Sequence, residues 1–371
     1  MRIGINCRSF SKKHTAGIGR YAYNLVKSLS RIDRGNQYEL YLRKNFFDLS
    51  RAVPKSPAPN FSVRVDYFSR GPQKVLPPLD VFHSPSPDDI VVGKTKQVVT
   101  IHDLIHRTFP EAHTPETRET VERQIRSAVS QAARIICCSQ STVDDLARFY
   151  DVDAQKIRLI YQGVDKEIFH PLTGEGLEQA RRRIRLKGVQ EPFILFVGTL
   201  EPRKNLKNLL QAFAIVKDKP GFEGKLVVIG MRGWKMDQFE EDLRKTGVRE
   251  HCVFPGYLTD EELAGFYNAA DFFVFPSFYE GFGFPIVEAM SCGSAVITSN
   301  VASCAEIAED AALTVDPVDP EAIAQAMRRL LQDAGLKQDL RQKALTRARM
   351  FSFKNTAEET LEVYQSAATG L

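Results

Sequence analysis

The sequence predicts an α/β protein of two domains, each a doubly wound parallel sheet with helices on both faces. Short β-rich apolar runs alternate with amphipathic stretches along the whole chain, which is the pattern of parallel strands joined by helical crossovers. The chain has 371 residues, more than one hydrophobic core commonly organises, so two domains are expected. Its 43% hydrophobic and 26% charged residues are ordinary globular values and argue against disorder.

In the first half, strand-like runs fall at residues 2–6, 38–42, 61–67, 98–101, 134–138 and 156–161. In the second they fall at 193–197, 225–229, 252–254, 271–275, 295–298 and 313–315. Residues 163–188 carry Pro171, glycines and the charge run Arg181, Arg182, Arg183, with no strand signal before Phe193. A domain boundary is therefore expected near residue 170, giving domains 1–170 and 171–352. The basic run reads as a solvated helix face, or alternatively as a surface for anionic lipid. Two helix starts are marked: Ser303 with Glu306 spells a capping box, and Asp319 with Pro320 spells an N-cap and first turn.

A net charge of +4 suits anionic partners such as sugar nucleotides or acidic lipid headgroups, and falls short of a nucleic-acid footprint. A strand-like run begins at Arg2 and no stretch of about 18 apolar residues occurs, so neither a signal peptide nor a membrane span is expected. The six cysteines show no paired metal-ligand spacing and read as reduced core residues, which fits the cytoplasm.

Four features carry chemistry. First, EGFGFPIVEA at residues 280–289 follows an apolar strand, with Pro285 in a first-turn position and Gly293 beyond the helix. Such a turn presents free N–H groups and a partial positive charge to a diphosphate. Gly281 and Gly283, with Phe282 and Phe284 between and after them, let the backbone approach phosphate oxygens; Glu288, one turn into the helix, could accept from ribose hydroxyls. Glu280 is either a carboxylate facing sugar hydroxyls or a solvated turn residue.

Second, TLEPRKNL at 199–206 follows the run 193–197 through Gly198 and Thr199. This places Arg203 and Lys204 at the carboxyl end of a sheet, where open α/β folds bind ligands. Their charges could neutralise a departing nucleoside diphosphate, so no metal and no further cofactor is required. Taken alone, an Arg-Lys pair is also a common exposed first turn.

Third, GIGRYA at 17–22 matches a dinucleotide fingerprint. It lies ten residues beyond the first strand, and Arg43 and Lys44 stand where a dehydrogenase needs an acid, so Gly17 and Gly19 are read only as lining a cleft. Fourth, His102 and Asp103 follow one strand run, and His83 and Ser84 follow residues 80–82. Both pairs are placed at sheet carboxyl ends, as structural residues or as groups for hydroxyl binding and proton transfer. Asp151 and Asp153 precede a strand, at the wrong edge for a ligand, and read as a surface turn.

Glu280 and Glu288 with seven residues between them, the preceding Arg203 and Lys204, and the Gly17 and Gly19 loop together resemble the retaining glycosyltransferases of family 4. The resemblance covers essentially the whole chain and implies the GT-B architecture, two facing Rossmann-like domains. It implies that Arg203 and Lys204 bind the donor diphosphate, Glu280 the donor sugar and Glu288 the ribose. It also implies that His102 lies near the transferred sugar and that Tyr257 and Leu258 lie by the nucleobase. A last helix, within residues 353–371, would return to the first domain. IHDLIHRTFP at 101–110, VGTLEPRKNL at 197–206 and the 230–234 stretch look most like bacterial mannosyltransferases of polysaccharide assembly.

The resemblance implies retaining transfer of a hexose, mannose from GDP-mannose or a sugar from a UDP donor, to a saccharide or lipid-linked saccharide hydroxyl. It implies no nucleic-acid partner and allows peripheral contact with the inner face of a membrane. A nucleotide-sugar epimerase and a non-catalytic nucleotide-sugar-binding protein are the alternatives, and a nicotinamide dehydrogenase a distant one.

Overall fold

The computed structural model describes residues 1–11, 17–45, 53–88, 93–217, 224–231, 233 and 236–370. The chain forms two compact units, Met1–Gly163 with Ser352–Leu371, and Val164–Phe351.

The first unit contains β1 (Arg2–Asn6), α1 (Ile18–Ile32), β2 (Gln37–Arg43), β3 (Phe61–Asp66), α2 (Pro72–Val75), β4 (Val81–Ser84), β5 (Lys96–Ile101), α3 (Ile105–Thr108), α4 (Pro115–Gln131), β6 (Arg134–Cys137), α5 (Gln140–Phe149) and β7 (Ile157–Leu159). Its strands run parallel in the order β3-β2-β1-β4-β5-β6-β7. The order reverses between β1 and β4. The central strand β1 is covered on both faces, with residues 3–6 all buried, while the edge strand β3 alternates apolar and polar residues.

The second unit contains α6 (Gly174–Leu186), β8 (Phe193–Val197), α7 (Leu206–Val216), β9 (Lys225–Ile229), α8 (Met236–Thr246), β10 (Cys252–Gly256), α9 (Asp260–Ala269), β11 (Phe272–Phe275), α10 (Phe284–Ser291), β12 (Val296–Ser299), α11 (Ala302–Ala308), β13 (Leu313–Val315), α12 (Pro320–Gln332) and α13 (Ala334–Ala348). The parallel order is β10-β9-β8-β11-β12-β13. Its reversal lies between β8 and β11, whose Ile194 and Phe272 are in register. Every residue of β8 and of β11 is buried. In an open sheet of this kind, ligands bind outside the carboxyl ends at that reversal.

The chain then returns to the first unit as α14 (Phe353–Thr369). This helix packs on α1, its Tyr364 hydroxyl meets His83 Nδ1 at 2.7 Å, and Arg134 donates to Ser366 Oγ at 3.0 Å. Where the chain leaves the first unit, a Cβ on Gly163 would lie 2.0 Å from the Phe353 backbone nitrogen. The backbone of the departing segment packs directly on that of the returning one, which admits only glycine. The crossing itself falls at Gly163 and Val164 rather than near residue 170. Val164 N donates to Phe351 O at 3.4 Å and the Phe169 ring packs edge-on against Tyr267, so residues 164–169 belong with the second unit.

Asp319 caps α12 by accepting from Glu321 N at 2.9 Å, with Pro320 in the first turn. The Ser303 capping box does not form: α11 starts at Ala302 with Val301 as its cap, and the Ser303 hydroxyl bonds elsewhere. All six cysteines are buried free thiols. Among the described residues, no helix is long and apolar enough to cross a membrane.

Candidate active site

The second unit brings Arg203, Lys204 and Glu280 together at the β8/β11 reversal. The loop after β8 passes through a 3-10 turn, Pro202–Lys204, and ends at Asn205 in the left-handed region (φ 59°). Asn205 has no side-chain cap bond to α7. Its amide instead donates to Pro276 O at 2.9 Å and Pro317 O at 2.6 Å, tying the loop after β8 to the loops after β11 and β13.

The Glu280 carboxylate is the centre of the cluster. Its Oε1 lies 2.6 Å from Lys204 Nζ, 2.8 Å from an Arg203 guanidinium nitrogen and 2.6 Å from Ser277 Oγ. Arg203 also donates to Tyr279 O at 2.6 Å and pairs with Glu201. Lys204 Nζ stands 5.0 Å from the centre of the Phe275 ring, a cation–π distance. Burial alone would raise the Glu280 pKa, but Arg203, Lys204 and Ser277 outweigh it and hold the carboxyl at about 2. Burial lowers the Lys204 pKa, opposed by Glu280. A donor group fixed this way needs no reorganisation when negative charge develops beside it.

The loop carrying Glu280 is pinned from beneath by three hydroxyls, of which the sequence marks Ser303 alone, and as a helix cap. Thr298 Oγ1 donates to Phe275 O at 2.9 Å, Ser299 Oγ to Ser277 O at 2.6 Å, and Ser303 Oγ to Glu280 O at 2.8 Å. All three come from β12 and the start of α11, the neighbouring βα unit. Sequence spacing alone does not reveal such pairings, because they are fixed by the register of β11 on β12.

Gly281, Phe282 and Gly283 are buried, and Gly283 adopts φ 102° as the cap of α10, with Pro285 in its first turn. The glycine is required there by its left-handed backbone. Glu288 is 2% exposed and accepts from the Tyr267 hydroxyl at 3.1 Å, so it is a buried carboxylate on the helix that the turn starts. Leu258 is buried, and Tyr257 is exposed beyond the carboxyl end of β10, the edge strand.

The loop after β9 backs the loop after β8. A Cβ on Gly230 would lie 1.9 Å from Gly198 O, and one on Gly233 would lie 2.4 Å from Leu200 O. Gly198 N and Leu200 N donate to Ile229 O and Met231 O, holding Thr199 between them. Gly230→Ala is therefore expected to displace the Gly198 to Lys204 segment and destabilise the unit by about 1–3 kcal/mol. Urea unfolding of the variant checks this effect.

In the first unit, Gly17 caps α1 at φ 56° and Gly19 is buried within it; residues 12–16 before them lie outside the described residues. Trp234, in the stretch 230–234, is also outside them. His102 Nε2 lies 2.7 Å from Pro85 O and Nδ1 lies 2.7 Å from the Gln162 amide nitrogen. A carbonyl only accepts, so the proton is on Nε2 and Nδ1 accepts from Gln162. Burial lowers the His102 pKa. Asp103 Oδ1 accepts from Ile105 N at 3.1 Å and opens α3.

His83 and Ser84 do not face an acceptor. Strand β4 continues through both, and both are fully buried. The His83 ring nitrogens meet Tyr364 OH at 2.7 Å and Thr100 Oγ1 at 2.8 Å, and burial pushes its pKa down to about 3. Ser84 Oγ accepts from Gln97 at 3.3 Å. They hold α14 and β5 in place. Asp153 caps a 3-10 turn before β7 and is exposed, as is Asp151.

Residues 178–347 match the family described as Glycosyl transferases group 1, and residues 15–168 match Glycosyltransferase Family 4. The O-antigen chain mannosyltransferase B of Escherichia coli is 30% identical over 373 aligned positions, covering 94% of this chain and 96% of that protein. The serotype-specific mannosyltransferase WbdA of Escherichia coli is 30% identical over 285 positions, which are 74% of this chain and 34% of that longer protein. Among solved structures, sucrose-phosphate synthase from Thermosynechococcus elongatus overlays with a TM-score of 0.79 at 22% identity, each chain covered completely. Anabaena HepE in complex with UDP and glucose overlays at 0.75 and 18% identity, over 99% of this chain and 100% of that one. The fold is GT-B, two Rossmann-like α/β units with parallel sheets. The chain belongs to glycosyltransferase family 4 and is a glycosyltransferase.

Proposed function

We propose that the protein transfers mannose from GDP-mannose to a saccharide or lipid-linked saccharide hydroxyl, with the anomeric configuration retained. The observation that carries this reading is the convergence of Arg203 and Lys204 on Glu280 at the sheet reversal. The near full-length 30% identity to an O-antigen chain mannosyltransferase supports mannose as the sugar.

In this reading the bond from the anomeric carbon to the diphosphate oxygen breaks, and its electron pair leaves with the diphosphate. Arg203, Lys204 and the N–H groups at the start of α10 stabilise that charge without a metal. Gly198 and Thr199 line the donor, Tyr257 and Leu258 lie by its base, and Glu288 accepts from the ribose. The acceptor oxygen bonds to the same face of the sugar, and its proton passes to the departing phosphate oxygen. The buried reduced thiols support action in the cytoplasm, where a lipid-linked acceptor would be met at the inner membrane face.

A panel of GDP-mannose, UDP-glucose and ADP-glucose tests the donor. At a hundredfold excess over its dissociation constant, the cognate donor raises unfolding free energy by about 2.7 kcal/mol. A stabilisation by UDP-glucose and none by GDP-mannose would reassign the base. Product NMR tests the stereochemistry, and an inverted anomeric centre rejects retention.

A further inference from the structure

Arg203 is held by two carboxylates, and they hold it differently. Its Nη1 lies 2.6 Å from Tyr279 O and 2.8 Å from Glu280 Oε1, while its Nη2 lies 2.5 Å from Glu201 Oε1. Glu280 is 8% exposed and is fixed by Lys204 and Ser277 as well as by Arg203. The Glu201 side chain keeps 17% of its surface exposed, and among the described residues Arg203 is the one hydrogen-bond or ion-pair partner of its carboxylate.

The backbone that carries Glu201 is tied down at each step. Leu200 N donates to Met231 O at 3.0 Å, Glu201 N to Thr199 O at 2.9 Å, and Lys204 N to Glu201 O at 3.0 Å, which closes the turn Pro202–Lys204. Glu201 thus stands on the same hydrogen-bonded segment as Arg203 and Lys204, and rotation about its own side-chain bonds is enough to release the guanidinium. Its charge also reaches the neighbouring ammonium: burial lowers the Lys204 pKa, Glu280 opposes that most strongly, and Glu201 adds to the opposition. An anion arriving at Arg203 meets Nη1 already engaged by two acceptors, and at Nη2 it competes with a carboxylate of its own sign.

We propose that Glu201 is a built-in competitor for the donor diphosphate: it pairs with Arg203 while that position is vacant, yields when a diphosphate arrives, and so limits the affinity for both the donor and the nucleoside diphosphate product. This rests on the transfer reading given above, in which Arg203 carries the diphosphate. Glu280, fixed by three groups, stays in place, and Glu201, fixed by one, is the carboxylate that gives way. Glu201 acts through Arg203 and touches no reacting atom, so it is a positioning residue. The consequence is for release. A diphosphate gripped by an unopposed guanidinium leaves slowly, whereas a carboxylate that returns to Arg203 as the diphosphate departs favours its exit, and affinity differences between closely related sites fall mostly in the dissociation rate.

The test compares the full wild-type chain with Glu201→Gln, which keeps the size and removes the charge, by titration calorimetry with GDP, UDP and inorganic pyrophosphate, and with guanosine and uridine as uncharged controls. Replacing the carboxylate by an amide makes the surroundings of the diphosphate more positive by one unit whatever else lies nearby. The nucleoside diphosphate that binds wild type, and pyrophosphate, are expected to bind the variant about tenfold more tightly, with the nucleosides unchanged. Stopped-flow release of the same nucleoside diphosphate should slow by a similar factor. A carboxylate that only orients Arg203 toward phosphate gives the opposite sign. Weaker or equal diphosphate affinity in Glu201→Gln, or nucleoside binding tightened by the same factor, therefore overturns the proposal. If Glu201→Gln does not fold, Glu201→Ala is read in the same way. Wild type that binds neither GDP, UDP nor pyrophosphate sinks the transfer reading and this proposal together, whereas wild-type binding without tightening in the variant sinks this proposal alone.

Discussion

Glu280→Ala is expected to lower the unfolding free energy by about 3–5 kcal/mol, because it strands the buried Lys204 ammonium beside the Arg203 guanidinium, which keeps Glu201. The two positive side chains share one carboxylate oxygen, and Ser277 cannot replace its charge. The same carboxylate makes stability depend on pH. Its folded pKa of about 2 lies below the ordinary 4.5. The contribution is therefore fully present above about pH 4.5 and is lost as pH falls toward 2. Urea unfolding of wild type between pH 7 and pH 3 should show that decline, and Glu280→Gln should show a shallower one. Equal acid sensitivity in the two proteins would mean that Glu280 titrates normally and the cluster is not charged as described.

Lys204→Ala is expected to lower kcat by about 10²–10³, the range for removing one donor from a site that stabilises developing charge. Folding should survive, since Glu280 retains Arg203 and Ser277. A thermal melt near the wild-type midpoint, alongside turnover with a validated acceptor, separates lost chemistry from lost structure. Unchanged turnover removes Lys204 from the reaction. Arginine at the position is not a conservative rescue, because a planar guanidinium does not reproduce the point charge that Lys204 Nζ places 2.6 Å from Glu280 and 5.0 Å from the centre of the Phe275 ring.

Much of this was legible before any coordinates. The runs 2–6, 193–197, 225–229 and 313–315 coincide with β1, β8, β9 and β13, since buried parallel strands advertise themselves as apolar blocks bounded by turn residues. The Arg203, Lys204 and Glu280 grouping was readable because each follows a strand that the topology places beside the other. What failed was local in form and tertiary in cause. Ser303 and Glu306 satisfy the capping pattern, yet the Glu280 carbonyl competes for that hydroxyl and wins. His83 and Ser84 were set one step too late, because a four-residue strand offers no periodicity to mark its end. Asn205 carried no signal for its left-handed turn and two carbonyl partners, which come from residues 71 and 112 positions away.

The return of α14 to the first unit bears on the order in which the protein can be completed. The residues of the second unit are contiguous, so all of them are synthesised before α14 is. The half translated first must wait longer: the cleft in which Tyr364 meets His83 stays open until α14 is made. A nonsense mutation removing only that helix would thus damage the earliest-made half and spare the later one.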